Sequence, residues 1–235
     1  GFVASGGQKG VQRPVLSPGA TLPMHPIGFL VITRDHVFGV PISPDLQKVR
    51  GPLTAAMFGL NPQDLQVTRI ERNQGDQRDI VGIVTALEGD PLQSGDIASR
   101  LGGYADLEAM EKNGATDAEV IERLLGNKNA LHNNYQDFQA FLDKGGKIGL
   151  QHDPVLYGAY ALNPFLVAVE LVPMLVVQQG EVAVIKAYVG LPTKDTSGEQ
   201  FRFGSLVQPG HRGIWQEPLR TGKYPINPRC YQAEI

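Results

Sequence analysis

The side chains able to do chemistry in this chain are few and scattered. There are five histidines, His25, His36, His132, His152 and His211, and one cysteine, Cys230. A histidine beside a carboxylate could move a proton, because imidazole titrates near neutrality and a carboxylate fixes its tautomer. Two such neighbours occur, Asp35-His36 and His152-Asp153. Adjacent residues of a strand point to opposite faces, so adjacency alone makes no dyad, and both pairs read as solvated turn residues. No histidine stands at metal-ligand spacing from another or from Cys230. The Gly-x-Ser-x-Gly elbow, the His-Glu-x-x-His zinc motif, the P-loop and the Gly-x-Gly-x-x-Gly fingerprint do not occur. Gly6-Gly-Gln-Lys-Gly10 is Gly-rich but opens no helix pattern, which argues against a phosphate cradle. No catalytic residue, cofactor or metal is therefore expected. The one enzymatic alternative would use His152, Asp153 and His211, which lie at equivalent ends of two repeats.

Those repeats are the elements that must position everything else. Gly213-Ile-Trp-Gln-Glu-Pro-Leu-Arg-Thr-Gly-Lys-Tyr-Pro-Ile-Asn-Pro228 has an earlier copy, Gly149-Leu-Gln-His-Asp-Pro-Val-Leu-Tyr-Gly-Ala-Tyr-Ala-Leu-Asn-Pro164. A first copy runs from Gly10 through Gly19 to Met24-His-Pro26. What persists is Gly, Pro, Gly and a closing Pro, whereas the polar pair varies as Gln12-Arg13, His152-Asp153 and Gln216-Glu217. A catalytic site is seldom copied with its polar residues altered, so the stretch reads as a rigid corner feeding the next strand. Glycine permits positive φ, proline fixes φ, and Asn163 and Asn227 can cap a turn. His25 occupies the place of those asparagines, which favours a turn role for it. Trp215 reads as core.

A second element recurs too. Val81-Gly-Ile-Val-Thr-Ala-Leu-Glu-Gly-Asp-Pro91 aligns without gaps with Val182-Ala-Val-Ile-Lys-Ala-Tyr-Val-Gly-Leu-Pro192. Each is expected to form a hairpin with the strand before it: 65–71 with 80–87 across a turn at 73–76, and 174–177 with 182–189. The full unit is then hairpin, Gly-x-Pro, variable insert, corner and strand. Three units are expected, over 1–64, 65–171 and 172–235, the first without its hairpin and the last without its tail. Because the chain opens on Gly1 and both ends cut into repeats, it reads as a segment of a longer protein.

The insert of the middle unit, about 96–144, is expected to hold three helices. They are Tyr104–Lys112, a second after the capping box Thr116-Asp-Ala-Glu119, and Tyr135–Leu142. Glu108, Glu111, Glu119, Glu122 and Arg123 read as a solvated face. The same position in the last unit holds only a polar loop within 191–208, so the insert reads as a surface addition. In the first unit, 27–33 and 37–42 read as a strand pair turning at Arg34-Asp35-His36, and 53–60 as a short helical turn.

Composition narrows the classes. Hydrophobic content of 42% and charged content of 19% mark a globular chain, and 28 Gly with 17 Pro imply many turns and short strands. A net charge of -3 without a basic stripe argues against nucleic-acid binding. One cysteine leaves the redox compartment open. No signal-peptide pattern opens the chain, and the most apolar stretch, Phe165 to Val177, is broken by Glu170 and Pro173 and reads as buried strands.

Residues 176–235 carry a resemblance. Val176-Val-Gln-Gln-Gly-Glu-Val-Ala-Val-Ile-Lys-Ala-Tyr-Val-Gly190, then Pro209-Gly-His-Arg-Gly-Ile-Trp-Gln-Glu-Pro-Leu219, then Gly-Lys-Tyr-Pro-Ile-Asn-Pro228, resembles the start of an SPFH domain. That family, also called band 7, comprises stomatin, prohibitin, flotillin and HflK/C. The resemblance implies a membrane-associated scaffold built of many copies in a ring or cage, with its membrane anchor and coiled coil outside this chain. It implies self-association, contact with lipids and membrane-protein clients through regions outside this chain, and no enzymatic activity. The stacked β-repeats of the major vault protein are a second similarity. The expected fold is α+β, with tandem small β-rich SPFH-like modules and a three-helix insert. An enzyme-regulating or ligand-binding module docking on a membrane protein such as a protease is the alternative.

Overall fold

The computed structural model describes residues 3–4, 8–72, 75, 79–196 and 204–235. Mixed α+β architecture is present, with short strands in several small sheets and few helices. The strands in chain order are β1 (Val3–Ala4), β2 (Val11–Gln12), β3 (Val31–Ile32), β4 (Val37–Phe38), β5 (Thr68–Ile70) and β6 (Ile80–Ala86). After the helical insert come β7 (Gly149–Leu150), β8 (Gly158–Tyr160), β9 (Val167–Pro173), β10 (Leu175–Val177) and β11 (Val184–Ala187). The last are β12 (Leu206–Val207), β13 (Gly213–Trp215), β14 (Gly222–Tyr224) and β15 (Tyr231–Glu234). Helices are α1 (Pro44–Gln47), α2 (Ala105–Lys112), α3 (Asp117–Leu125) and α4 (Phe138–Asp143). No helix among the described residues is long and apolar enough to cross a membrane.

The sequence repeat has a counterpart in strand pairing. Central strand β6 pairs antiparallel with β7 and β9, joining Ala86 to Gly149 and to Val167. Central strand β11 does the same with β13 and β15, joining Ala187 to Gly213 and to Tyr231. The outlying strands correspond as well: Ile70 faces Gly158 and Val177 faces Gly222. Isolated bridges repeat the correspondence, Gly82 with Val155 and Ala183 with Leu219. Parallel pairing of β1 with β2 matches that of β12 with β13.

This pairing corrects the hairpin expectation. The strands of the two expected hairpins do not pair with each other: β5 goes to β8 and β10 to β14, while β6 and β11 take partners from the corner, whereas the pair expected around Arg34-Asp35-His36 is present as β3 with β4. Central strands bury alternate or successive residues between two partners, which a two-stranded hairpin cannot provide. The expected turn at 73–76 falls mostly outside the described residues, as does much of the polar loop within 191–208. Strand β9 is half exposed, with Glu170 and Leu171 facing solvent, so 165–177 is not a run of buried strands.

Two of the three expected helices stand where the sequence places them, the second of them at its cap. Thr116 Oγ accepts from the Glu119 N–H, and Glu119 accepts from the Thr116 N–H at 2.8 Å, closing the capping box. The third starts later than expected. Asn133, Asn134 and Tyr135 all have positive φ, which no helix tolerates, and Asp137 becomes the N-cap of α4 through the Ala140 N–H. The insert is not a surface addition. Leu107, Val120 and Leu124 of α2 and α3 join the core formed by Val177, Ile185, Val207 and Trp215 in the third unit. Phe138 and Phe141 of α4 join the core of Ile70, Val84, Val155 and Leu166 in the second. At about 25 cal/mol per Å2 of apolar area removed from water, each such leucine or phenylalanine contributes about 1.5–3 kcal/mol. The insert thus fastens two units together.

Candidate functional site

The corner sequence builds one joint twice. In each corner the asparagine holds its own turn: Asn163 Oδ1 accepts from the Phe165 N–H and Asn227 Oδ1 from the Arg229 N–H. The following proline keeps the asparagine extended, so its amide is free to point outward. Asn163 Nδ2 donates to the carbonyl of Gln12 at 2.9 Å and of Arg13 at 3.0 Å. Asn227 Nδ2 donates to the carbonyl of Gln151 at 2.9 Å. Counted from the opening glycine, as the strand pairing requires, Gln12 holds the place of Gln151, which corrects the matching of Gln12-Arg13 with His152-Asp153, and each unit grips the one before it by the same bond. His25 takes the turn role expected of it, with Nδ1 accepting from the Ile27 N–H.

Buried against the second joint is a polar cluster. His152 Nδ1 lies 2.6 Å from Asp153 Oδ1, and Nε2 lies 2.6 Å from the Tyr231 hydroxyl. All three residues are at most 5% exposed. The reading of His152-Asp153 as solvated turn residues is therefore wrong. The chain bends at these positions instead of continuing β7, so neighbouring side chains converge rather than alternate. Asp153 also accepts from the Lys128 N–H at 2.9 Å. Burial alone would raise the Asp153 carboxyl, but the His152 hydrogen bond and charge, the Lys128 N–H and the Arg100 charge outweigh it, leaving it lowered. With Nδ1–H donating to Asp153, Nε2 is left to accept from the Tyr231 O–H, whose pKa burial pushes far up.

Arg100 adds the positive side. Its guanidinium forks onto Asp106 at 2.6 and 2.9 Å and stacks over the Tyr104 ring at 5.5 Å. Arg123 donates to the same Asp106 carboxylate at 2.8 Å. Burial works against ionised Asp106, and the hydrogen bonds and charges of Arg100 and Arg123 override it, holding the carboxyl well below its ordinary range. Cys230 lies beside this cluster, fully buried, its thiol pushed up to about 12 by burial first and then by the Asp153 charge.

His211 stands apart. Its Nδ1 faces the Pro192 carbonyl at 2.7 Å and its Nε2 faces Glu111 at 2.9 Å, and Lys194 also reaches Glu111 at 2.8 Å. The carboxyl of Glu111 is lowered by the Lys194 hydrogen bond and then by that of His211. Glu111 is thus no mere member of a solvated face: it ties α2 to the third unit. Among the described residues no hydrogen bond or ring contact joins His211 to His152 or Asp153, so the expected trio is not one site. Asp35 and His36 are exposed, as the sequence implies, with Asp35 paired to Arg34. Trp215 is core, its Nε1–H donating to the His211 carbonyl at 3.3 Å. Among the described residues no group of three or more His, Cys, Asp and Glu side chains is placed to hold a metal ion.

Chemically, the Asp153–His152–Tyr231 line can hold a proton in one place. Two surface depressions lie elsewhere, one lined by Met110, Gly114, Glu119 and Arg123, the other by His36, Leu46 and Leu53. Neither is lined by any member of the line. The line fills a seam between units with hydrogen-bonded polar groups. Sequence reasoning missed Tyr231, Arg100 and Asp106. Tyr231 follows the corner at a place where Val167 stands in the second unit, and that exchange was the available signal. No family model, curated protein or solved structure matches this chain.

Proposed function

We propose that this chain is a structural scaffold of the SPFH or band 7 type, built of tandem SPFH-like modules. Many copies assemble into a ring or cage that organises a membrane microdomain or confines client membrane proteins. Its membrane association comes from regions outside these residues. The observation that carries the reading is the joint made twice, Asn163 to Gln12 and Asn227 to Gln151. A joint that repeats with one geometry stacks units in a line, and stacked units make walls. The insert that shares both cores stiffens that line. The SPFH resemblance of residues 176–235 supplies the membrane part of the proposal. Light scattering and particle imaging of the full-length protein in detergent test it. An assembly many times the monomer mass is expected, and a monodisperse monomer would overturn the reading.

A further inference from the structure

We propose that β9 is the edge on which a second copy of this chain pairs, antiparallel about a two-fold axis at Glu170. The main-chain groups lead there. Gly82 of β6 exchanges backbone bonds of 2.8 Å in each direction with Val155, and the Val84 carbonyl accepts from the Gln151 N–H at 2.8 Å. Val81, Ile83 and Thr85 alternate with them, so they face β9, where they meet Val172, Glu170 and Ala168. The N–H and C=O of Val169 and Leu171 then point away from the sheet, and among the described residues they have no partner. Leu171 is 52% exposed, so this edge meets solvent. Its two ends are closed: the Val167 N–H goes to the Asn163 carbonyl at 3.0 Å, and Pro173 has no N–H.

The same edge stands open in the third unit. Ala233 of β15 holds the place of Val169, and its N–H and C=O have no partner among the described residues, although the whole second unit precedes it. A preceding unit therefore does not cover this edge. An unpaired strand edge is a template for another strand, and here the strand fits itself. Val167-Ala-Val-Glu-Leu-Val-Pro173 has nearly the same apolar pattern from either end. Two copies centred on Glu170 set Val169 opposite Leu171 twice, and the two free N–H and two free C=O groups of each copy all pair. Ala168 meets Val172. Val167, whose N–H is taken, meets Pro173, which has none, so no donor is stranded. The only charged pair is Glu170 against its own copy, and like charges directly opposite repel. Each Glu170 already holds Arg229 in an ion pair, so the axis carries two carboxylates and two guanidiniums and is neutral. That agreement of register and charge is what a second copy supplies. The inference rests on the scaffold reading for the expectation that copies meet, and names the edge by which they do.

Sedimentation velocity of the 235-residue chain over a range of concentrations, with hydrogen exchange read by mass spectrometry, tests this. Dimers should form as concentration rises, and in them the Val169 and Leu171 amides should be protected about tenfold or more. Leu171→Pro removes a donor that the single chain does not use, and should abolish the dimer while β6 keeps its partners. Arg229→Ala leaves one Glu170 facing the other and should weaken pairing about fivefold. Adding Glu170→Gln to Arg229→Ala should restore it, and this pair of variants reads the edge without a proline in the strand. A chain that stays monomeric at every concentration would overturn the proposal, as would protection of Val169 and Leu171 that does not depend on concentration. Association indifferent to all of these changes would overturn it too, while leaving the scaffold reading in place, which the full-length protein in detergent tests separately.

Discussion

Asn227 donates its side-chain amide to the carbonyl of Gln151 at 2.9 Å, and both residues are buried, at 0% and 2% exposed. Removing one partner of a buried hydrogen bond costs the desolvation of the group left behind. Asn227→Ala should therefore lower stability by about 2 kcal/mol, the loss of the turn acceptor included. Asn163→Ala removes the same bonds toward a unit whose neighbouring apolar residues are exposed, and should cost less. Urea unfolding midpoints of the two variants check the order. Equal midpoints with the parent would mean that the joint contributes nothing.

Tyr231 is the prediction that separates a satisfied seam from ordinary packing. Tyr231→Phe keeps the ring contacts with Trp215 and His152, both at 5.5 Å between centroids, and deletes only the hydroxyl. His152 Nε2 then has no partner in a site closed to water, at a cost of about 1–3 kcal/mol. Adding His152→Gln, the residue type that Gln216 supplies at the equivalent place, should make the second loss smaller than the two singles combined. Strict additivity in that double-mutant cycle would sink the coupling.

How much of this was legible beforehand follows from the range of each interaction. The asparagine turns, the capping box at Thr116 and the core place of Trp215 rest on neighbours a few residues apart, and the sequence carries them. The partners of β6 and β11 do not, because a central strand and a hairpin strand show the same apolar pattern. Likewise the apolar face of α3 announces burial without saying against what, so its place in the third unit's core was invisible. His152 and Asp153 sit in a bend, where strand alternation does not hold and neighbouring side chains can converge. Arg100 and Asp106 are six apart, a spacing that no helix or strand rule brings together.

Acid should find His132 first. The ring is 2% exposed, lies 4.2 Å from Tyr135 and 5.3 Å from Phe141 between centroids, and its Nδ1 accepts from the Tyr135 N–H. Burial lowers its pKa from the ordinary 6.5 to about 4. The unfolded chain therefore binds the proton more readily between those values. The stability this neutral ring contributes is full above about pH 6.5 and is lost as pH falls from there through about 4. The loss is at most about 3 kcal/mol, less whatever solvent screening remains. Asp106 and Asp153, both lowered, give up their contributions only below their ordinary value of 3.8. His132→Leu should flatten stability between pH 6.5 and 4 without touching the steeper fall below it. A parent protein equally stable at pH 7 and pH 4.5 would contradict the assignment.

Cys230 offers a reporter for the same seam. Thiolate is the reactive form, and a thiol raised to about 12 is almost wholly protonated at pH 8. Its backbone N–H also bonds the Asn227 carbonyl at 2.9 Å, so it moves only when the corner opens. Labelling by a maleimide should be slow in the native protein, fast in urea, and accelerated about tenfold or more by Asn227→Ala. Rapid labelling of the parent would show the corner to be open.

Gly89 and Gly190 test whether the units are alike in their strain as well as their pairing. They occupy equivalent places just past the two central strands, with φ of +147° and +123°. A Cβ at Gly89 would stand 2.7 Å from the Gly146 carbonyl, and one at Gly190 would overlap the carbonyl of Gly210. Gly146 and Gly210 are themselves equivalent, each just before its corner. Backbone cannot swing aside as a side-chain tip can, so alanine must either strain the turn or push the corner away. Strain at such φ costs about 1–3 kcal/mol before any displacement is counted. Both substitutions should destabilise, Gly190→Ala the more because its overlap is the closer. Thermal unfolding of the two variants checks this, and tolerance of alanine at either site would mean that the corner is not held where the repeat places it.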